Sequence, residues 1–257
     1  MTDARRDGGR YRNPALWSAV WAREGVHEAA HLHVLIEVDP VYRLLIELAR
    51  PQAGERILEL GCGSGRLTLA MAREFDLRPV LADFSPEAVA LARRNAEALG
   101  VRAEFIICDV LDVPLVGGSF DIVWSAGVYE HFLGADRARV FTEAARLCRS
   151  GGRAVVIVPN AWNLLSRLGQ FASERLGAWP LGVEVPFSPR ELRARGQEAG
   201  LVIEAQEGVD LLASYWVMKV PGAKRLLALP PARSVTLRPT PIGRWFGRYI
   251  GFRGRRP

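Results

Sequence analysis

The stretch Ile57-Leu58-Glu59-Leu60-Gly61-Cys62-Gly63-Ser64-Gly65-Arg66-Leu67 decides the fold of this chain. A short apolar run ends near an acidic residue and is followed by three glycines at alternate positions. Apolar residues then recur at helical spacing, at Leu67, Ala70, Met71 and Phe75. The pattern predicts a strand, a tight turn and a helix. Because glycines let a ligand lie directly on the main chain, and a helix start offers unpaired N–H groups, the loop predicts a nucleotide-type binding site.

The glycine spacing tells which nucleotide the loop suits. A dinucleotide fold requires Gly-x-Gly-x-x-Gly, whereas this loop has Gly-x-Gly-x-Gly with Glu59 two residues before it. The pattern resembles the first motif of the class I (Rossmann-like) S-adenosylmethionine (SAM) methyltransferases, where the loop wraps the methionine half of the cofactor. The resemblance places Glu59 at the cofactor and implies that four loop residues hold the methionine moiety, namely Gly61, Cys62, Gly63 and Gly65.

Two further apolar runs end in carboxylates. Asp83 closes the run 78–83, about twenty residues beyond the loop, where a carboxylate is expected to bind the ribose hydroxyls. Asp109 closes the run 103–109, and the resemblance implies that it binds the adenine amino group. Three neighbouring positions are also predicted at the cofactor, Phe84 on the adenine face, Val110 and Ser125. Each carboxylate could instead be a helix cap or a turn residue.

Strands and helices alternate along the chain. Further strands are predicted over 120–127, 153–160 and 201–205, and Ser188 with Glu191 forms a capping box for a helix ending at Gly200. This alternation predicts an α/β fold with a mostly parallel seven-stranded sheet and helices on both faces. The predicted organisation is an N-terminal helical cap over 1–50, a SAM-binding domain over 51–210 and a basic C-terminal extension over 211–257.

Two segments outside the sheet are expected near the site. Tyr11, Trp17 and Trp21 could stack over the cofactor, although packing in the core is the favoured interpretation. An insertion over 160–187 is rich in Trp, Leu and Gly, and such segments often cover the acceptor site in the resembled family. Its apolar content indicates a hydrophobic or aromatic acceptor. The alternative is that the segment is a packed helical hairpin.

His131 is the candidate catalytic residue. It follows the fourth predicted strand, beside the expected position of the methyl group, and is predicted to start a helix. An imidazole titrates near neutral pH and could remove a proton from an acceptor hydroxyl. The Glu130-His131 pair resembles that of ubiquinone-type small-molecule methyltransferases. A histidine that caps the helix or packs on the cofactor is the alternative interpretation.

His27-Glu28-Ala29-Ala30-His31 matches the zinc-protease pattern His-Glu-x-x-His. The motif is short and lies in an N-terminal appendage with no room for a protease domain and no obvious third ligand. We therefore predict no metal site. The three cysteines are widely spaced, which fits reduced thiols in a cytoplasmic protein, and the polar N-terminus predicts no secretory signal.

Charge is unevenly distributed. Residues 211–257 contain ten Lys and Arg and no Asp or Glu, while the other 24 basic residues are outnumbered by 28 acidic ones. The body is therefore a poor match for a broad nucleic-acid groove. Residues 241–252 have the spacing of a basic amphipathic helix, which could contact the inner face of a membrane peripherally. Packing of these residues on the protein's own sheet is the favoured interpretation, and contact of their arginines with RNA is a further alternative.

The sequence thus predicts a SAM-dependent methyltransferase whose acceptor is a small molecule, with a lipid-linked or aromatic one preferred. Two motifs of nucleic-acid methyltransferases, (Asn/Asp)-Pro-Pro-(Tyr/Phe) after the fourth strand and a Pro-Cys nucleophile, are missing. A SAM-binding regulatory protein without turnover and an RNA-associated methyltransferase using the basic tail remain as alternatives. The acceptor, the methylated atom and the oligomeric state are left open.

Overall fold

A computed structural model describes residues 14–23, 39–177, 179, 182–210, 239 and 242–257. Eight helices are described: α1 Pro14–Arg23, α2 Pro40–Ala49, α3 Arg66–Phe75, α4 Pro86–Leu99, α5 Asp136–Leu147, α6 Leu164–Arg175, α7 Pro189–Glu198 and α8 Gly243–Phe246. Seven strands form one sheet: β1 Arg56–Leu60, β2 Arg78–Asp83, β3 Glu104–Ile107, β4 Phe120–Ala126, β5 Cys148–Pro159, β6 Val202–Val209 and β7 Tyr249–Arg255. A 3₁₀ turn, Tyr129–His131, follows β4.

The sheet has the strand order β3-β2-β1-β4-β5-β7-β6. The first five strands in this order are parallel, and β7 pairs antiparallel with both β5 and β6. Two hydrophobic clusters, one centred on Phe141 and the other on Trp124, bury the two faces of the sheet beneath the helices. The predicted Rossmann-like α/β fold is confirmed. In such a sheet ligands bind beyond the carboxyl ends of the parallel strands.

The turn between β1 and α3 is formed as predicted. Gly65 is the N-cap of α3 with φ +68°, a left-handed conformation that favours glycine. Asn95 of α4 donates a hydrogen bond of 2.9 Å to the carbonyl of Ser64, which fixes the loop against the next helix. The glycine loop is therefore held from behind by packed helices.

Helix capping follows the sequence closely, with one difference. Ser188 accepts a hydrogen bond of 3.1 Å from the backbone N–H of Glu191 and caps α7. The carboxylate of Glu191 does not complete a capping box in the structure, because it forms an ion pair of 2.8 Å with Arg137. His131 ends the 3₁₀ turn after β4 and does not start a helix, since α5 begins only at Asp136.

The last strand of the sheet comes from residues that the sequence assigned to a separate extension. Helix α8 covers only Gly243–Phe246, and Tyr249–Arg255 forms β7 between β5 and β6. The predicted amphipathic helix is therefore not formed, and Ile250 is fully buried. The favoured interpretation, packing on the protein's own sheet, describes Tyr249–Arg255. Contact with a membrane stays a prediction, but β7 cannot provide its surface.

Arginines at the C-terminal end are also used within the fold. Arg253 and Arg255 both pair with Glu204 of β6, at 3.1 and 2.7 Å. Arg256 donates a hydrogen bond of 2.8 Å to the carbonyl of Arg146. These three cations therefore stabilise the edge of the sheet. The prediction that the protein does not bind nucleic acid stays a prediction.

Helix α1 packs against α4. Ser18 donates a hydrogen bond of 2.7 Å to Glu87 in the first turn of α4, and Trp17 stacks on Trp21 with ring centroids 6.4 Å apart. The His-Glu-x-x-His segment, 27–31, and Tyr11 lie outside the described residues.

Candidate active site

A cavity of about 660 Å³ lies at the carboxyl ends of β1, β2 and β4. This volume is in the range of small-molecule sites. Most of the residues predicted from sequence line it, namely Glu59, Gly61, Cys62, Gly63, Asp83, Phe84, Asp109, Val110 and His131. The structure therefore brings the glycine loop, the three carboxylates and the candidate base into one space.

The glycine loop approaches its neighbours too closely for any side chain. Gly61 has φ +73°, and a Cβ there would lie 2.5 Å from a methyl carbon of Val128. Gly63 has φ +50°, and a Cβ there would lie 2.4 Å from the ring of Trp21. The loop thus forms a bare backbone cradle covered by an aromatic side chain, as a cofactor lying on the main chain requires.

Asp83 holds the cradle together. One carboxylate oxygen accepts a hydrogen bond of 2.9 Å from the N–H of Gly63, and the other accepts one of 2.9 Å from Ser85. Burial raises the pKa of Asp83, although these backbone donors act against that rise. Each carboxylate oxygen has a second lone pair, so the residue can still accept hydrogen bonds from ribose hydroxyls. Asp109 has one oxygen on the N–H of Leu111 at 3.0 Å.

Glu59 shows that the cavity suits a positively charged ligand. The side chain is buried, and its Oε2 has no hydrogen-bond partner among the described residues. Burial, with a contribution from Asp83, raises the pKa of Glu59 to about 8. A hydrogen bond with Thr68 acts against this rise. A buried carboxyl oxygen without a partner is unfavourable unless a ligand supplies one. The bare cradle and this orphaned oxygen fit the methionine half of SAM, which carries positive charge.

Two predicted cofactor residues do not line the cavity. Ser125 donates a hydrogen bond of 2.7 Å to the carbonyl of Leu60, inside the sheet. Its neighbours Trp124 and Ala126 line the cavity instead, because side chains alternate between the two faces of a strand. A Cβ at Gly65 would lie 3.1 Å from Ala92, so this glycine permits packing of α3 on α4 behind the loop. Ser125 and Gly65, which were predicted at the cofactor, therefore lie behind the cavity wall and support it.

Several lining residues were not predicted at the cofactor. Trp17 and Trp21 of α1, for which core packing was favoured, are half-buried and line the cavity. Tyr249 also lines it from the first residue of β7. A pair of tryptophans one helical turn apart was a usable signal for the first two. Nothing local could have placed Tyr249, because β7 is positioned by pairing with distant strands.

A second cavity of about 150 Å³ adjoins the first and shares its lining by Trp17, Gly127, His131 and Tyr249. Its other walls include residues of the 160–187 insertion, among them Ser166, Arg167, Gln170, Trp179 and Glu184. The insertion therefore forms part of the wall of this cavity, and its role as a lid over the acceptor stays a prediction. The side chains that it directs inward are mainly polar, however. A hydrophobic acceptor was expected because the insertion is rich in apolar residues, but the wall that the insertion forms here is mainly polar.

His131 lies at the junction of the two cavities. Its Nδ1 is 2.7 Å from the carbonyl oxygen of Val183, and the ring of Trp17 packs edge-on against it at 5.2 Å between centroids. Because a carbonyl only accepts, Nδ1 carries the proton in this bond and Nε2 keeps its lone pair. Burial lowers the pKa of His131, which the Val183 carbonyl partly offsets. The imidazole is therefore neutral at pH 7 and able to accept a proton.

Two carboxyl groups accompany His131. Ligand atoms of Glu130, His131 and Glu184 lie within 4.8 Å of one another. Burial and the proximity of Glu184 raise the pKa of Glu130, and its Oε2 has no hydrogen-bond partner among the described residues. Burial also raises the pKa of Glu184 to about 7, against the opposing effect of Arg248 and Arg167. The cluster is thus a proton-bearing group facing the second cavity.

Comparison with known proteins agrees with this geometry. Residues 57–152 match the family model described as a methyltransferase domain. A demethylmenaquinone methyltransferase of Thermus thermophilus is 34% identical over 179 residues, covering 63% of this chain and 80% of the relative. The chain belongs to the class I SAM-dependent methyltransferases.

Other relatives of this methyltransferase act on different small molecules. A ubiquinone biosynthesis O-methyltransferase of Rhizobium etli is 33% identical over 174 residues, covering 65% of this chain and 69% of the relative. The structure of a geranyl diphosphate C-methyltransferase from Streptomyces coelicolor, with Mg²⁺, geranyl diphosphate and S-adenosylhomocysteine (SAH), superposes with a TM-score of 0.64 at 19% identity. The match covers 95% of this chain and 98% of that one and shows a shared fold.

Glu59 leads to a prediction about cofactor binding by the methyltransferase. With its pKa raised to about 8, Glu59 is protonated at pH 7 and must lose its proton to pair with a cationic ligand. SAH affinity should therefore rise from pH 6 to pH 8, and binding should release a proton. Calorimetry in buffers of different ionisation enthalpy measures both effects. Glu59→Gln should bind more weakly and release no proton from this site, whereas an unchanged proton release would contradict the assignment.

The carboxyl–imidazole cluster leads to a prediction about metal. Glu130, His131 and Glu184 are close enough for one divalent cation, which would require both carboxyls and the imidazole to give up their protons or hydrogen bonds. Because burial favours the protonated carboxyls, we expect no stoichiometric metal in the purified protein and no effect of a chelator on SAH binding. Elemental analysis with one metal per chain, lost in Glu184→Gln, would contradict this expectation.

Proposed function

We propose that the methyltransferase methylates a hydroxyl oxygen of a small molecule bound in the second cavity, and that His131 removes the hydroxyl proton. The observation that carries the proposal is the position of His131 at the junction of the two cavities. There it is neutral, with Nδ1 held by the Val183 carbonyl. A base located between the cofactor and the acceptor is the arrangement that general-base catalysis needs.

Methyl transfer to a hydroxyl oxygen forms one bond, breaks one bond and moves one proton. When bound, SAM supplies a methyl group on a positively charged sulfur that is already activated for displacement. The acceptor oxygen forms the new bond to the methyl carbon, its proton passes to Nε2 of His131, and the electron pair of the broken carbon–sulfur bond stays on sulfur. Most of the rate enhancement then comes from alignment of the two substrates. Trp17 contributes by packing against the base at the junction.

The polar lining of the second cavity indicates which chemical groups lie close to the methylated atom of the acceptor. Glu130, Glu184 and Arg167 can contact hydroxyl or carbonyl groups close to the methylated atom. A cavity of about 150 Å³ holds little more than one ring, so a larger acceptor must extend beyond it. Relatives named for demethylmenaquinone and ubiquinone biosynthesis support an acceptor with a polar ring and an apolar body. We infer such a lipid-linked or aromatic acceptor for this enzyme.

Metabolite comparison of a deletion strain with its parent tests the proposal. We expect one compound to accumulate that is a methylene lighter than a compound that disappears. Purified enzyme with SAM should convert the first compound to the second and release SAH in equal amount. Carbon NMR of the product made with methyl-labelled SAM then locates the methyl group. A label on carbon or nitrogen would overturn the assignment to oxygen while leaving the methyltransferase activity intact.

A further inference from the structure

Helix α6 has its polarity reversed relative to a normal surface helix. Its buried side is made of small or polar residues, Ser166, Gly169, Gln170 and Ser173. Its outer side carries four large apolar side chains, Leu164, Leu165, Leu168 and Phe171, which are 72%, 47%, 58% and 55% exposed. A surface helix ordinarily turns its apolar stripe toward the core. Among the residues that the structure describes, nothing buries the apolar side of α6.

Helix α8 lies beside the first turn of α6. Asn163, the N-cap of α6, donates a hydrogen bond of 2.7 Å to the carbonyl of Phe246, and Trp162 stacks on Trp245 with ring centroids 5.2 Å apart. Ile242 and Phe246 are 63% and 57% exposed. We call the six exposed residues together the apolar face: Leu164, Leu165, Leu168, Phe171, Ile242 and Phe246. It contains six of the thirteen exposed large hydrophobic side chains of the described residues.

Arginines accompany the apolar face. The guanidinium of Arg175 lies over the ring of Phe171 at 4.9 Å, and that of Arg244 lies over Trp245 at 5.0 Å. Arg190 lies 5.8 Å from Trp162 on the same side. The single acidic residue of α6, Glu174, accepts a hydrogen bond from Gln170 at 2.9 Å. Apolar side chains together with tryptophans and arginines are the composition of surfaces that enter an anionic lipid interface.

We propose that the apolar face docks the enzyme on the surface of an anionic lipid bilayer. Among the described residues, no helix has the length and hydropathy needed to cross a bilayer, so α6 lies in the plane of the interface. The other side of α6 lines the second cavity through Ser166, Arg167 and Gln170. Docking therefore places the second cavity one helix thickness away from the lipid. The docking surface does not depend on the role of His131.

Sedimentation with lipid vesicles tests the docking surface. Full-length protein is mixed with vesicles of phosphatidylcholine alone or of phosphatidylcholine with phosphatidylglycerol. We expect binding to the anionic vesicles to be at least about fivefold stronger than to the neutral ones, and to weaken as salt is raised. The double variant Leu168→Glu/Phe171→Glu should lose about tenfold or more of this binding, because two apolar side chains no longer enter the lipid.

Matched controls separate docking from folding. Ile107→Glu and Val116→Glu change exposed apolar residues, 57% and 79% accessible, far from α6 along the sequence and should bind vesicles like the parent protein. All variants should bind SAH with unchanged affinity, which shows that they are folded. Lack of vesicle binding by the parent, or equal binding by the double variant, would overturn the proposal. So would a parent dimer that the double variant converts to a monomer, because a second copy would then cover the face.

Discussion

Gly63→Val is expected to abolish SAM and SAH binding, with an affinity loss of about a hundredfold or more. Gly63 has φ +50°, which a branched residue adopts only under strain, and its Cβ would lie 2.4 Å from the ring of Trp21. Its N–H also donates to Asp83 at 2.9 Å, so a shift of the loop would disturb the predicted ribose carboxylate as well. Calorimetric titration with SAH measures the loss without any knowledge of the acceptor.

Gly100→Val provides the matched control for this substitution. Gly100 has φ +65° at the end of α4, so valine introduces comparable backbone strain, but a Cβ there meets no atom within 4 Å. We expect Gly100→Val to lower thermal stability and to leave the SAH affinity unchanged. Equal SAH affinity of Gly63→Val and the parent protein would show that the cofactor does not lie on the glycine loop.

The parts of the fold that were predictable from sequence are those with local causes. Gly65 marks the start of α3 by its left-handed conformation, and Ser188 marks the start of α7 by its side-chain hydrogen bond. The end of β2 at Asp83 was equally visible, and Asp109 lies two residues beyond the end of β3, because apolar runs stop at these acidic residues. Local features of this kind determine the glycine loop and the strand ends, which explains why most of the residues predicted at the site line one cavity.

The parts that were not predictable depend on contacts distant in sequence. β7 reads locally as a basic amphipathic helix, but its glycines allow close packing in the sheet, since a Cβ at Gly251 would lie 2.8 Å from the carbonyl oxygen of Val156. The fifth strand was predicted to start at residue 153, yet β5 runs from Cys148 to Pro159 with an irregular register opposite β4. Pairing with distant strands outweighs the local sequence pattern in both cases.

The second cavity also combines residues that local sequence identifies with residues that only distant contacts bring together. Glu130 and His131 are adjacent in sequence, and their pairing pointed to this site. Glu184 joins them from more than fifty residues away in the sequence. It belongs to the insertion, whose apolar composition predicted an apolar lining, whereas the side chains that line the cavity are mainly polar. Composition reports how many apolar residues a segment has, whereas only the structure shows that those of α6 face outward. That the insertion is a lid over the acceptor stays a prediction, and the apolar composition given as the reason for an apolar acceptor does not describe the mainly polar wall that it forms.

His131→Ala is expected to lower kcat by about 10²–10⁴ while SAH affinity changes by no more than a few-fold. His131→Asn is the better-controlled variant, because its side-chain amide can replace Nδ1 as the donor to the Val183 carbonyl but offers no basic nitrogen. Both variants should therefore lose turnover to a similar extent, and the asparagine variant should retain more of the thermal stability. The measurement uses the acceptor identified by metabolite comparison.

The pH dependence of turnover gives an independent test of His131 as the base. A base must be unprotonated, so kcat/KM for the acceptor should fall as pH decreases through the pKa of His131. The measurement uses saturating SAM, so that the pH dependence of cofactor binding through Glu59 does not contribute. Because burial lowers the pKa of His131, activity should persist below the value of an ordinary histidine, about 6.5. In His131→Asn this acid limb should disappear from the residual activity. An acid limb that survives in the variant, or joint loss of SAH binding and turnover, would make His131 a residue that packs on the cofactor and would assign the proton to another group.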